Sequence, residues 1–228
     1  MKLLLIRHGE PNYEKDCLTP HGTEQAKRLA KRLESEGITH AFMSPMGRAI
    51  ETAHISIDKT DIPLKKCDWL REFDVKVYDK DSQEPIHVWD LLPENWTQVK
   101  DAFDKDSFQN VQGIKDTEMY PRYQSVVNGL DDLLAQFGLV REGGVYHKTK
   151  DCNETIALFC HFGVTCVMIA HLLGISPVLT LQGMSAEPTA IATLCTDDRS
   201  GDKVNFRLHG FGDINHLDEK DIGNINYK

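Results

Sequence analysis

Short apolar runs alternate along this chain with longer segments in which apolar residues recur every three or four positions. The first pattern is typical of buried β-strands and the second of amphipathic helices. Strands are predicted at Lys2–Ile6, His40–Ser44, Leu64–Cys67, Thr155–Cys160, Thr189–Thr196 and Val204–His209. Helices are predicted from Pro20 to Gly37, from Pro45 to about Ile57, from Pro121 to about Phe137 and at Gly163–Leu173. The alternation predicts an α/β fold, a three-layer sandwich with a mostly parallel central sheet flanked by helices.

The alternation stops at about residues 73–120. This stretch is rich in Asp, Lys, Gln and Pro and has little regular periodicity, although Trp89, Trp96 and Phe103 lie within it. These aromatic side chains either line a substrate entrance or anchor the segment in the core, and the core is the commoner place for such residues. We therefore expect a single domain over residues 1–228 with a cap insertion at about residues 73–120.

The composition of the 228 residues is that of an ordinary globular protein, since 40% are hydrophobic and 27% are charged. Lys and Arg total 26 against 35 Asp and Glu, so the formal net charge is −9. This acidic balance argues against nucleic acids and anionic membranes as partners, because both are bound by clustered cations. An anion-binding site in such a chain needs a few arginines gathered in one pocket.

Nothing at the N-terminus predicts export or membrane insertion. The apolar run within Lys2–Ile6 is too short for a signal-peptide core, and no window approaches the roughly 20 apolar residues of a membrane span. We therefore expect a cytoplasmic protein. The six cysteines are scattered without a Cys-x-x-Cys pair, which in a reducing compartment favours free thiols over disulfides or a zinc site.

Charged and polar side chains follow four of the predicted strands, at the edge where open α/β sheets bind ligands. Arg7 and His8 follow the first strand, and Arg48 lies one helical turn beyond the second. Glu72 follows the third strand and His161 follows the fourth. We expect these five residues to meet at one edge of the sheet.

A cluster of this kind suits phosphoryl transfer. Two guanidinium groups match a phosphate in shape and charge, and the start of the helix at Gly163 adds backbone N–H donors. A histidine between these cations has a lowered pKa and stays neutral, so it is able to attack phosphorus and form a phosphohistidine. A carboxyl near a phosphate dianion holds a proton for the leaving oxygen, and Glu72 fits this role without a metal or another cofactor.

The segments around this cluster resemble the ordered motifs of the histidine phosphatase superfamily, also called the phosphoglycerate mutase-like family. The matching segments are Arg7-His8-Gly9-Glu10, Leu18-Thr19-Pro20-His21-Gly22 with Gln25-Ala26, Ser44-Pro45-Met46-Gly47-Arg48-Ala49 with Thr52, Leu70-Arg71-Glu72, and His161 with Gly163. One Arg-His-Gly alone is weak evidence, whereas five ordered matches over most of the chain outside the insertion are specific.

The resemblance implies a role for each residue of the cluster. His8 is the phosphorylated nucleophile and Glu72 is the proton donor. Arg7, Arg48 and His161 form the phosphate pocket, in which His161 also takes part in catalysis. The resemblance further implies a small phosphorylated substrate, with no metal and no cofactor.

Two positions depart from the pattern of the family. The second histidine motif is His161-Phe162-Gly163, whereas the family usually has Gly directly after His. Phe162 is therefore expected to narrow the site or to shift the backbone that follows. Pro11 stands where many members have Thr or Ser, so one hydroxyl contact to the phosphate is expected to be missing. Neither departure removes a charge from the pocket.

The sequence thus predicts a member of the phosphatase branch, a metal-independent phosphomonoesterase that hydrolyses a small phosphorylated metabolite through phosphorylated His8. A phosphoglycerate mutase is one alternative, but the Arg-Arg pair of the mutases occurs nowhere in the chain, and Glu10–Glu14 replaces their Trp-Asn segment. A non-catalytic member that binds a phosphorylated ligand is the other, yet such members usually lack one of the two histidines. Selectivity is expected to come from the insertion, and the protein is expected to be a monomer or a homodimer.

Overall fold

The computed structural model of the chain describes residues 1–79, 84–218 and 221, so positions 80–83 of the predicted insertion and the end of the predicted domain lie outside the described residues. The strands are β1 (Lys2–Arg7), β2 (Pro11–Asn12), β3 (Cys17–Leu18), β4 (His40–Met43), β5 (Leu64–Lys66), β6 (Lys76–Tyr78), β7 (Pro85–His87), β8 (Leu139–Glu142), β9 (Val145–Lys148), β10 (Thr155–Cys160), β11 (Ile191–Ser200) and β12 (Lys203–Asp213). The α-helices are α1 (Pro20–Leu33), α2 (Gly47–Ile57), α3 (Pro93–Trp96), α4 (Met119–Gln136), α5 (Phe162–Leu173) and α6 (Pro177–Gly183).

The central sheet has eight strands in the order β5-β4-β10-β1-β11-β12-β9-β8. The first four are parallel to one another, whereas the remaining neighbours pair antiparallel. Because β12 and β8 are again oriented like β1, six of the eight strands run in one direction. The predicted α/β architecture with a mostly parallel sheet is confirmed.

Side chains from alternate positions of β1 enter two different hydrophobic cores. Leu3 and Leu5 belong to a core with residues of α4, α5 and α6, whereas Leu4 and Ile6 belong to a core with residues of α1 and α2. Successive residues of a strand point to opposite faces of the sheet, so the two cores lie on its two faces. Helices therefore cover both faces, as the three-layer prediction requires.

The start of α1 has a side-chain cap and a proline in its first turn. The hydroxyl of Thr19 accepts the backbone N–H of Gly22 at 2.9 Å, and Pro20 occupies the first turn. A side-chain cap of this kind satisfies a backbone donor that the helix cannot pair by itself. The helix ends earlier than predicted, at Leu33, and Gly37 lies beyond it with a φ of +66°.

The hairpin of β8 and β9 and the helix α6 are absent from the prediction. The two hairpin strands have four residues each and are separated by Gly143 and Gly144, and the φ of Gly143 is +59°. Helix α6 spans seven residues and is capped by the Ser176 hydroxyl, which accepts the backbone N–H of Val178 at 3.3 Å. Elements this short have too few turns or alternations to produce a periodic signal.

The predicted insertion at 73–120 packs into the main core. Its described residues form the hairpin β6–β7, the helix α3 and several short 3-10 turns. The buried side chains that it adds to the core include Phe73, Val77, Val88, Phe108 and Ile114. Trp89 and Trp96 pack partly buried against the same core, whereas Phe103 is 51% exposed.

The helices and cysteines bear on two further expectations. Within the described residues, no helix combines the length and the apolar character that crossing a membrane requires. All six cysteines are free, so no disulfide joins parts of the chain.

Candidate active site

The carboxyl ends of parallel strands bring the predicted site residues together. Arg7 is the last residue of β1, Ser44 follows β4, and His161 follows β10. The backbone N–H of His8 donates to the carbonyl of Cys160 at 3.1 Å, which holds the two histidine segments side by side. The imidazole centroids of His8 and His161 are consequently 5.1 Å apart.

The backbone fixes the orientation of the His8 ring. Its Nδ1 lies 2.7 Å from the carbonyl oxygen of Gly9, which is only an acceptor, so Nδ1 holds the proton of the neutral ring. Nε2 keeps its lone pair and accepts a hydrogen bond from Nε of Arg48 at 3.2 Å. The ring therefore presents an unprotonated nitrogen beside a cation, which is the state that a nucleophile needs.

The pKa of His8 is lowered to about 3, mainly by burial. The guanidinium groups of Arg7 and Arg48 act in the same direction, because they repel a protonated ring. The Gly9 carbonyl and the carboxylate of Asp16 oppose the shift without reversing it. His8 is therefore neutral at physiological pH.

His161 is fully buried and is held by Ser44. Its Nε2 lies 2.7 Å from the Ser44 hydroxyl, which also accepts the backbone N–H of Met46 at 3.2 Å. We assign the hydroxyl proton to the bond with Nε2, which leaves the ring proton of His161 on Nδ1. Burial above all, and then repulsion from the His8 ring when it is protonated and from the arginines, holds the pKa of His161 well below its usual range, so the ring is a neutral donor.

Two buried nitrogens of this cluster are unpaired. Nε of Arg7 and Nδ1 of His161 have no hydrogen-bond partner among the described residues. Arg7 also donates from a terminal nitrogen to the carbonyl of Ala186, which fixes the direction of its guanidinium group. An unpaired buried donor costs about 1–3 kcal/mol, so an anion that accepts from both nitrogens relieves this cost. The arrangement is suited to the oxygens of a phosphate group.

Asp16 fixes Arg48 at the start of α2, and no pattern in the sequence predicts this contact. One carboxylate oxygen accepts from a terminal nitrogen of Arg48 at 2.6 Å, and the other accepts the backbone N–H of Gly47 at 2.7 Å. Asp16 lies in the turn between β2 and β3 with a φ of +47°. From the same turn, the ring centroid of Tyr13 lies 5.4 Å from the guanidinium carbon of Arg48.

Gly9 lets the first histidine motif pack against the start of α1. A Cβ on Gly9 would lie 2.7 Å from the backbone oxygen of Gly22, closer than side chains normally approach. The Gly9 N–H donates to the Thr52 hydroxyl at 3.0 Å, and that hydroxyl donates to the carbonyl of Arg48 at 2.7 Å. These bonds join the segment of the candidate nucleophile to the helix that holds Arg48.

Glu72 reaches the first turn of α5 from a neighbouring loop. Its Oε1 accepts the backbone N–H of Phe73 at 2.7 Å and that of Val164 at 3.1 Å. Burial raises the pKa of the Glu72 carboxyl, although these two donors and the cations of Arg7 and Arg48 favour its charged form. The bonds to Oε1 leave Oε2 to hold the proton that a general acid needs.

The shifted glycine of the second histidine motif leaves room for Glu72. A Cβ on Gly163 would lie 2.9 Å from Oε1 of Glu72 and 2.9 Å from Cζ3 of Trp89, so a larger residue does not fit without displacing one of them. Phe162 begins α5 and packs edge-on against Trp89, with ring centroids 6.2 Å apart. Phe162 and Trp89 thus form an aromatic pair beside the carboxyl of Glu72.

The structure brings together the five residues that the sequence proposes for the site, namely Arg7, His8, Arg48, Glu72 and His161. Their roles in catalysis and phosphate binding stay predictions. Arg71, which the sequence analysis leaves without a role, has an exposed side chain.

Three further histidines, His171, His209 and His216, lie outside the cluster around His8. His171 bonds to the carboxylate of Asp131 at 2.9 Å, and His209 is exposed. Nε2 of His216 lies 2.9 Å from the hydroxyl of Thr189, whose backbone N–H donates to the carbonyl of His8 at 3.1 Å. Burial lowers the pKa of His216 to about 4.

The chemistry of the side chains in the site indicates which kind of group, a metal ion or an anion, they are suited to bind. Within residues 1–79, 84–218 and 221, no group of three or more His, Cys, Asp or Glu side chains is placed to hold a metal ion. Apart from the carboxyl groups of Asp16 and Glu72, the side chains around His8 are cations and N–H donors, which attract an anion. A phosphate group fits this donor set better than a metal cation does.

Comparison with known proteins bears on the identity of this arrangement. A family model described as histidine phosphatase superfamily (branch 1) matches residues 3–208. The chain belongs to this superfamily. The motifs that carry the sequence resemblance lie within the matched range, so the resemblance is confirmed.

Curated relatives named probable phosphoglycerate mutase GpmB match part of this histidine phosphatase chain. The protein of Proteus mirabilis is 30% identical over 138 residues, which are 56% of this chain and 62% of the relative. The protein of an Enterobacter species is 33% identical over 89 residues, which are 35% of this chain and 41% of the relative. The chain thus spans less than two-thirds of the length of these relatives.

Solved structures of other proteins share the histidine phosphatase fold. A mutant phosphoserine phosphatase from Entamoeba histolytica, in complex with phosphoserine, gives a TM-score of 0.63 at 21% identity, over 95% of this chain and 98% of its own. The alpha-ribazole phosphatase from Shigella flexneri gives 0.60 at 20% identity, over 94% and 97%. At these identities the likeness establishes the fold alone.

Proposed function

We propose that this member of the superfamily is a metal-independent phosphomonoesterase, which hydrolyses a small phosphorylated metabolite through a phosphohistidine on His8. The observation that supports this most directly is the 2.7 Å hydrogen bond from Nδ1 of His8 to the Gly9 carbonyl. It leaves Nε2 unprotonated beside Arg48, because the pKa of His8 is about 3. A neutral and oriented imidazole in a cationic pocket is suited to attack phosphorus.

The phosphate group would sit among Arg7, Arg48 and His161. Nε of Arg7 and Nδ1 of His161 are buried donors that lack partners among the described residues. Arg48 now donates to the attacking nitrogen of His8 at 3.2 Å, and in the complex this N–H turns to a phosphate oxygen. All three groups then stabilise the charge that develops on the phosphoryl oxygens.

The first step transfers the phosphoryl group to the enzyme. Nε2 of His8 attacks phosphorus, and the bond between phosphorus and the ester oxygen breaks. Glu72 gives its proton to that oxygen, so the leaving group departs as a neutral alcohol. The raised pKa of Glu72 supports this role, because the carboxyl must hold a proton when the substrate binds.

The second step returns the enzyme to its starting state. A water molecule attacks the phosphohistidine, and the bond between phosphorus and Nε2 breaks. The Glu72 carboxylate takes the proton of that water, so the same residue is the acid in one step and the base in the next. Inorganic phosphate leaves, with His8 neutral and Glu72 protonated again.

Mutase activity is the second candidate, because the curated relatives are named probable phosphoglycerate mutases. The chemistry of the first step would be the same, and the acceptor would be a hydroxyl of phosphoglycerate instead of water. The absence of an Arg-Arg pair from the whole sequence favours hydrolysis, since mutases carry such a pair in the cap. A non-catalytic binder is disfavoured because both His8 and His161 are present.

The proposal is tested by following the phosphoryl group in the wild-type protein. A phenyl phosphate labelled with radioactive phosphorus is added in EDTA, and the reaction is stopped in alkali, where phosphohistidine survives. We expect label on the peptide that contains His8. In water enriched in heavy oxygen, we expect each released phosphate to gain one oxygen from solvent.

Other outcomes of this experiment decide against hydrolysis. Label on His8 that passes to added phosphoglycerate, with no oxygen taken from water, would establish the mutase. Absence of both label and product would establish that the protein is a binder. Activity that disappears in EDTA and returns with added metal would overturn the metal-independent route.

Replacing Glu72 with Gln is expected to slow hydrolysis selectively, according to the leaving group. The amide keeps an oxygen to accept the Phe73 and Val164 N–H groups, but it has no proton to give. With an alkyl phosphate, kcat/KM should fall about 10²-fold to 10⁴-fold. With a nitrophenyl phosphate, whose leaving group needs little protonation, the fall should be smaller than about 10-fold.

The pH profile separates the acid from a merely structural Glu72. In the wild type, kcat/KM for the alkyl phosphate should decline as the pH rises through the raised pKa of Glu72, because the acid is lost. This decline should be missing in Glu72→Gln. Asp74→Asn is the control, since it removes an exposed carboxyl two residues away. Equal losses for both leaving groups would exclude Glu72 as the acid.

A further inference from the structure

Trp89 lies where the leaving group of a phosphomonoester would emerge from the site. A Cβ on Gly163 would be 2.9 Å from Cζ3 of Trp89 and 2.9 Å from Oε1 of Glu72, so these two atoms lie within about 6 Å of each other. If Glu72 protonates the ester oxygen, the leaving group starts within hydrogen-bond reach of the carboxyl group that Trp89 borders. The organic part of the substrate therefore begins next to Trp89.

The indole of Trp89 is held firmly by its surroundings. The imidazole of His87 stacks on it, with centroids 4.8 Å apart and 4° between the ring planes. Phe162 packs edge-on at 6.2 Å, and Gln182 donates to the backbone carbonyl of Val88. Trp89 nevertheless stays partly exposed. A surface that is already ordered loses little conformational entropy when a ligand covers it.

The chemistry of this surface discriminates between leaving groups. Trp89 and Phe162 carry no charge, and the nearest exposed charges on the Glu72 loop, Arg71 and Asp74, have opposite signs. A short hydroxy acid or a polyol gains little from an indole. A planar ring or a hydrocarbon chain gains by leaving water and by stacking or edge-on contact.

We propose that Trp89 selects phosphomonoesters whose leaving group has a planar ring or a hydrocarbon chain next to the ester oxygen. This inference rests on the proposed function, because the place of the leaving group follows from Glu72 as the acid. Trp89 acts on specificity, since its indole has no group that exchanges a proton with the substrate.

The test compares benzyl phosphate with glycerol phosphate. Both release an alkyl alcohol, so both need the proton of Glu72 and differ in the ring. We expect the wild type to prefer benzyl phosphate in kcat/KM, and Trp89→Ala to lower this preference about tenfold, chiefly through KM. Trp89→Phe should keep most of the preference. Trp96→Ala, a change to another partly buried tryptophan of the insertion, should leave the ratio unaltered.

Binding of phosphonates separates this inference from the proposed function. Benzylphosphonate should bind the wild type more tightly than methylphosphonate does, and Trp89→Ala should remove the difference. Tight and Trp89-dependent binding of benzylphosphonate, with no turnover of either phosphate ester, would refute the phosphatase while supporting the aromatic subsite. Turnover of both esters at similar kcat/KM, or a preference that survives in Trp89→Ala, would overturn the subsite and leave the phosphatase intact.

Discussion

Replacing His8 with Ala is expected to abolish phosphate release from every phosphomonoester, with a loss of about 10⁴-fold or more in kcat. The variant lacks the nitrogen that attacks phosphorus, and no other described group is placed like Nε2, which lies 3.2 Å from Nε of Arg48. The measurement is release of nitrophenol from nitrophenyl phosphate in EDTA. This leaving group needs little protonation, so the assay reports on the nucleophile even if Glu72 is not the acid.

Binding must survive in the same variant if His8 acts only as the nucleophile. Arg7, Arg48 and His161 stay in place, so titration calorimetry should find inorganic phosphate bound within about tenfold of the wild-type affinity. His209→Ala is the control, because it removes an exposed imidazole from the opposite end of the sequence. Nitrophenol release by His8→Ala at more than about one hundredth of the wild-type rate would contradict the phosphohistidine route.

Four of the five site residues that the sequence predicts, all except Glu72 in its loop, are placed by the end of a strand or the start of a helix. Arg7 ends β1 and His161 caps α5, and the parallel register that pairs Arg7 with Cys160 makes the two segments neighbours. The same sheet aligns β4 with β10, so the helix that begins after β4 brings Arg48 to the cluster. Strand order, motif spacing and the rule for sheet edges are sufficient for such residues.

Asp16 escapes prediction, and the sequence leaves Trp89 between a substrate entrance and the core, because no α-helix or strand places either residue. Asp16 depends on a turn in which its own φ is +47°, and no periodicity encodes that conformation. Trp89 comes from the insertion, where 3-10 turns and tertiary packing determine the path of the chain. Only the folded structure shows that Trp89 lies near Glu72, because both side chains approach Gly163.

The hairpin of β8 and β9 is missed by the sequence prediction for a related reason. The strands β8 and β9 pair with each other over four positions each, and only β9 joins the rest of the sheet, through β12. Their stability therefore comes from tertiary contacts such as the burial of Leu139 and Tyr146 rather than from a pattern within the segment. Sequence periodicity indicates local amphipathicity, and it does not predict elements whose formation depends on long-range packing.

Mild acid is expected to destabilise the fold, because the buried His8 and His161 and the half-buried His216 are neutral. The pKa is about 3 for His8 and about 4 for His216, and that of His161 lies well below its usual range. In the unfolded chain each imidazole has a pKa near 6.5. Between pH 6.5 and about 4 the unfolded chain binds more protons than the folded protein, so the free energy of unfolding falls as the pH falls.

The size of this loss in unfolding free energy depends on how many side chains differ in pKa between the folded protein and the unfolded chain. Each of the buried His8 and His161 contributes about 1.2 kcal/mol between pH 6 and pH 5, and the half-buried His216 contributes somewhat less because solvent screens it. Glu72 acts in the opposite direction, because its raised pKa makes the folded protein hold a proton that the unfolded chain releases above its own pKa of about 4.5. The net loss should be about 2 to 3 kcal/mol for this one unit of pH, which is a large part of the stability of an ordinary domain.

Urea unfolding followed by tryptophan fluorescence at pH 7, pH 6 and pH 5 measures this loss. His216→Gln keeps a group that can bond to the Thr189 hydroxyl, but it has no imidazole to protonate, so the loss from pH 6 to pH 5 should shrink by about 1 kcal/mol. His209→Gln, at an exposed position, should retain the wild-type loss. Equal unfolding free energies at pH 7 and pH 5 would mean that the buried histidines are protonated in the folded protein, and the neutral nucleophile would then be lost with them.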